Sequence, residues 1–64
     1  MNFSDAWGMM LHGGNCVRRP GWEVGRHWMI LAGQPWEIVP SKPERLLGEV
    51  AQVDMLADDW EVCA

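Results

Sequence analysis

Apolar residues recur along this chain first with a helical period and then with a strand period. Phe3, Ala6, Trp7, Met10 and Leu11 fall at i, i+3, i+4, i+7 and i+8, one stripe of an amphipathic helix. Ser4 offers an N-cap, and Asp5 puts an anion in the first turn, where the helix dipole favours it. Gly13-Gly14 supplies a residue for the left-handed position that ends a helix. The pattern predicts a helix over residues 5–12.

Beyond the glycines the period changes to two. Residues 15–19 (NCVRR) read as a short strand with Cys16 and Arg18 on one face and Val17 and Arg19 on the other. Pro20-Gly21 ends it: proline holds Arg19 extended, and Gly21 can supply the positive φ of a type II turn. Residues 27–32 (HWMILA) are apolar enough for a strand covered on both faces. Gly33-Gln34-Pro35 then turns the chain, and residues 36–39 (WEIV) return as a hairpin partner. Residues 42–50 (KPERLLGEV) fit either a short helix from Pro43 or a loop. Residues 54–57 read as one helical turn capped by Asp54, and residues 60–63 alternate as a last strand. This order indicates one α+β domain over residues 1–64: a small antiparallel sheet with one N-terminal helix packed on it.

Length constrains the picture. A chain of 64 residues buries only about 60% of the surface its unfolded form exposes, so a monomer is marginal. Disulfides are not expected, because there are two cysteines, Cys16 and Cys63, and no secretory signal in the opening MNFSDAW. Metal is not expected either, since Cys16, Cys63, His12 and His27 lack paired ligand spacing. No stretch approaches the roughly 18 apolar residues of a membrane helix. Self-association in the cytoplasm, as a homodimer or homotetramer, is what remains.

The net charge of −4 argues against duplex nucleic acid, which needs a basic face to displace counterions. The bases nevertheless cluster: Arg18, Arg19 and Arg26 lie within nine residues, while the acids gather toward the end of the chain. A small anion would be welcome near the first turn, where a polyanion would not.

Catalysis finds little support. Cys16 with His12 or His27 would make a nucleophile and base, but a cysteine in an apolar strand reads better as a structural thiol. Asp58 and Asp59 are adjacent and point apart in extended chain. The glycine cluster HGGN follows a helix instead of preceding one, so it is no phosphate loop. His12 suits the C-terminal dipole of the helix. No enzyme, cofactor or metal is expected.

Binding is better supported. Five tryptophans stand in 64 residues. A tiny core gains apolar area from such rings, and that accounts for most of them. Trp22 differs because it leaves a stiff Pro-Gly turn beside Arg18 and Arg19. An indole stacks a nucleobase at about 1–3 kcal/mol, and an arginine forks two N–H groups onto a phosphate.

The run MNFSDAWGMMLHGGNCVRRPGW, with Val17, Arg19 and Trp22, together with DMLADDWEV at 54–62, resembles the phage Thoeris anti-defence proteins of the second type. The two blocks cover about half the chain and occur in the family's order. The resemblance implies a non-enzymatic, homo-oligomeric sponge that holds a cyclic ADP-ribose-type or cyclic oligonucleotide immune signal intact. It implies that Trp22 stacks the adenine between protomers, and that Arg19 serves as pocket wall or pyrophosphate contact. Arg18 and Asp54 are further candidate ligand-binding residues. The chain departs from the family in two places. Gly48 stands where a second Trp is usual, in a segment shortened to SKPERLLGEVAQV, so a second stacking plate comes from Trp36 or Trp28 or is absent. Glu23-Val24 replaces Asn-Gly.

Overall fold

A computed structural model describes residues 1–63 and forms them into one five-stranded sheet covered by a helix. Helix α1 runs Phe3–Gly13. It starts two residues earlier than a Ser4 cap predicts because Asn2 is the cap: its Oδ1 accepts from the Asp5 N–H at 2.8 Å. Gly14 takes the left-handed position expected of it, at φ 66°, and donates its N–H to the Met9 carbonyl. Ala6 and Met10 are buried beneath the helix and Phe3 and Trp7 pack at its margin, whereas Leu11 falls outside the stripe and is half exposed.

The strands are β1 (Cys16–Arg18), β2 (His27–Leu31), β3 (Gln34–Ile38), β4 (Arg45–Leu46) and β5 (Glu61–Cys63), with the short helix α2 (Gln52–Met55) before the last. The sheet order is β4-β3-β2-β1-β5, antiparallel throughout. A small α+β fold with an antiparallel sheet and an N-terminal helix is therefore what the chain adopts.

Several local expectations change. The β2–β3 hairpin turns on Ala32 and Gly33, at φ 53° and 78°, with Leu31 opposite Gln34. Positive φ at both central residues is what a two-residue hairpin asks for, and Pro35 lies inside β3, opposite Ile30. Gly21 has no positive φ, so the turn closed by the Trp22 N–H on the Arg19 carbonyl is not type II. Residues 42–50 contain neither a helix nor only loop: Arg45 and Leu46 add an edge strand opposite Glu37 and Trp36. Helix α2 begins after Ala51, which provides no side-chain cap, and Asp54 sits within it. Strand β2 is covered on one face only: Trp28 is buried, while Met29 is half-buried and Leu31 is 39% exposed.

Register explains the core. Val17 lies opposite Trp28 and Val62, and Trp28 lies opposite Glu37, so these side chains share the face under α1. The buried apolar residues are Ala6, Met10, Val17, Trp28 and Trp60. Trp60 is held at both ends. Its backbone N–H bonds the Met1 carbonyl, and its indole N–H donates to the Asp54 carbonyl at 2.9 Å, which ties α2 to the core.

Candidate functional site

The loop from Arg19 to Arg26 carries the first part of the site. The tight turn after Arg19 puts Trp22 over the core, where its ring centroid is 5.3 Å from those of both Trp28 and Trp60. Trp28 and Trp60 are themselves 5.0 Å apart, so three indoles form one cluster. Trp22 is half-buried, and the Arg26 guanidinium covers its ring at 4.3 Å from the centroid, a cation–π stack. Arg18 braces the loop from below by donating to the Trp22 carbonyl at 2.8 Å.

Arg19 faces another way. Its Nη1 donates to Asp54 Oδ1 at 2.9 Å and its Nε to Asp59 Oδ1 at 2.8 Å. The hydrogen bond from Arg19 holds the Asp59 carboxyl below the usual carboxylate range, against the opposing effect of burial. This triad clamps the first loop to the segment around α2. A phosphate on Arg19 would have to displace two carboxylates already in place.

Arg26 links the aromatic cluster to a second feature. Its Nε and Nη2 donate to Glu37 Oε2 at 3.1 and 2.9 Å. The same oxygen accepts the Trp28 indole N–H at 2.9 Å, and Arg45 Nε reaches Oε1 at 2.9 Å. Glu37 is only 4% exposed. Burial pushes its carboxyl up, but the hydrogen bonds from Trp28, Arg26 and Arg45 outweigh that and hold it below its ordinary value. Around this node opens a cavity of about 350 Å³, lined by Glu23, Arg26, Glu37, Val39, Lys42, Pro43 and Arg45. Three cations meet two carboxylates there. Lys42 has no ion-pair partner among the described residues.

The residues singled out in the sequence are thus divided. Arg18 and Trp22 are in contact, and Arg19 is joined to Asp54. Trp28 lies in the core with its N–H already satisfied, so its ring has no open face to offer. Trp36 lies on the opposite side of the sheet, opposite Met29 and Leu46, and donates its indole N–H to the Leu31 carbonyl. Glu37, Lys42 and Arg45 escaped the sequence reading. One signal for them was available: in WEIV, strict alternation puts Glu37 on the face opposite Trp36, and an acid on a buried face requires cations nearby.

Among the described residues no group of three or more His, Cys, Asp or Glu stands together as a metal site. No helix among them is long and apolar enough to cross a membrane. The chain matches no known family model, no curated protein and no solved structure.

Proposed function

We propose that this protein is a non-enzymatic sponge for a small nucleotide-type anion, in keeping with the anti-defence family it resembles. It works in the cytoplasm of a bacterial host as a homodimer or homotetramer. The observation that carries this reading is the cationic cavity joined to Trp22 through the stacked Arg26. The ligand's phosphate groups face Lys42 and Arg45. Its base competes with the Arg26 guanidinium for the indole of Trp22, an exchange that has to offset the two hydrogen bonds Arg26 gives to buried Glu37. A cavity of about 350 Å³ is at the small end of ligand sites, which run from roughly 300 to 1,000 Å³. A cyclic ADP-ribose-type molecule overfills it, so a second copy of the chain covers the remainder.

Sequestration needs affinity without turnover. The site suits that need, because its buried carboxylate, Glu37, is saturated by three donor groups and has no proton to move. Calorimetric titration with cyclic ADP-ribose, followed by heat denaturation and mass analysis of the released nucleotide, tests the reading. Binding with recovery of unaltered ligand is expected, and Lys42→Glu should weaken it at least about tenfold, or 1.4 kcal/mol, without disturbing the fold. Absence of binding by the wild type, or release of a hydrolysed product, would overturn it. Trp22→Ala is the poorer variant, because Trp22 packs on the core and its loss confuses binding with folding.

A second reading has its own support. Val24, Val53 and Leu56 are 88%, 70% and 77% exposed. A tryptophan-rich module that binds another protein would present apolar side chains in this way, and it would retain that partner unchanged in Lys42→Glu.

A further inference from the structure

We propose that Cys16 and Cys63 are a redox modification site, closing under oxidation into an intramolecular disulfide that fastens the edge strand β5 to β1. The two residues lie directly opposite one another in the antiparallel β1–β5 pair. Opposed residues of such a pair have Cα atoms about 4.5 or 5.5 Å apart, and both spacings lie within what a disulfide spans. Both are thiols in this structure. The Cys63 thiol points at the Cys16 sulfur at 2.8 Å, and the Cys16 sulfur approaches the Cys63 carbonyl at 3.0 Å. The sulfurs have to close by less than about 1 Å to bond.

The placement matters as much as the spacing. Strand β5 is three residues long and pairs only with β1, at the edge of the sheet. Trp60, the residue before it, is the buried ring beneath Trp22. A short edge strand opens at low free energy, and its opening would release that floor. A bridge between positions 16 and 63 closes a loop that holds about three quarters of the chain, so it removes a large share of the unfolded state's freedom.

The chemistry balances as a two-step exchange with a low-molecular-mass disulfide such as oxidised glutathione. One of the two sulfurs, as thiolate, displaces one glutathione thiol and forms a mixed disulfide. The other, 2.8 Å away, then gives up its proton, attacks the first sulfur and releases the second glutathione thiol. Two electrons pass to glutathione. In a reducing compartment the pair stays open, and a rise in oxidised thiol closes it.

The test equilibrates the full chain in glutathione buffers of graded ratio, traps it with acid and reads intact mass without reductant. The expected product is a single chain lighter by two hydrogens, melting on the order of 10 °C above the reduced form. Cys16→Ser and Cys63→Ser should each gain at most one glutathione and form no internal bridge. Wild-type chains that accumulate glutathione adducts or chain-to-chain disulfides instead would overturn the proposal. So would a bridged form that melts with the reduced one.

Discussion

Glu37 is a node on the buried face of the sheet. Its two oxygens accept from the Trp28 indole and from two guanidinium groups that come from different segments. The acid is stabilised in its ionised form, so its folded value lies below the ordinary 4.5. A depressed value means that the contribution is fully present above the unfolded value and is lost as pH falls through the folded one. Melting temperature should therefore be flat near neutrality and decline below about pH 4.5. Glu37→Gln should cost about 2 kcal/mol at pH 7, because a neutral amide cannot satisfy the two arginines as the carboxylate does. Its deficit should shrink as acid protonates the wild type. A pH series of melting curves on both proteins checks this, and parallel curves would count against it. The individual residues were partly legible in the sequence. Trp22 beside arginines was visible as a pairing of ring and cation. The arginine that covers it is Arg26, four residues on, because the tight turn at 19–22 sends Arg19 toward α2 and folds residue 26 back over the indole.

Among the elements, those fixed by local chemistry read well, and those fixed by partners did not. Helix α1 and strands β1, β2 and β5 follow from apolar spacing and glycine stops, and they lie within a residue or two of expectation. Strand β4 has no signal of its own: two exposed residues become a strand only because β3 offers an open edge. Helix α2 drifts for a similar reason, since the pull of Arg19 makes Asp54 an ion-pair partner instead of a cap. Turns divide in the same way. Gly25 has φ 91°, and a Cβ there would stand 2.7 Å from Pro40 Cγ. Gly25→Ala should lose about 2 kcal/mol from left-handed strain and that collision, roughly 10 °C of melting temperature in a domain this small. Gly21 has no such conformation and open space around it, so Gly21→Ala should leave the melting point within a few degrees of wild type. Thermal melts of the pair separate a required glycine from a dispensable one.

At the scale of the molecule, the exposed surface of 4198 Å² and radius of gyration of 10.8 Å match what a well-folded chain of 7.3 kDa has, about 4,200 Å² and about 11 Å. Looseness is not its difficulty. Smallness is, and three large rings make up much of the interior. The fold class was legible because helix and strand periods differ so clearly along the chain, whereas the cationic cavity was not, since it gathers residues 23 to 45 from loops and strand ends. The ring cluster also has an optical consequence. Indoles 5.0 to 5.3 Å apart and skewed by 44° to 85° have coupled electronic transitions. With only α1 and α2 to supply helical dichroism, the far-ultraviolet spectrum should be dominated by an exciton couplet that mimics altered helix content. Trp22→Phe should diminish that couplet while a cooperative melt persists, and an unchanged spectrum would mean that the chromophores are not in register in solution.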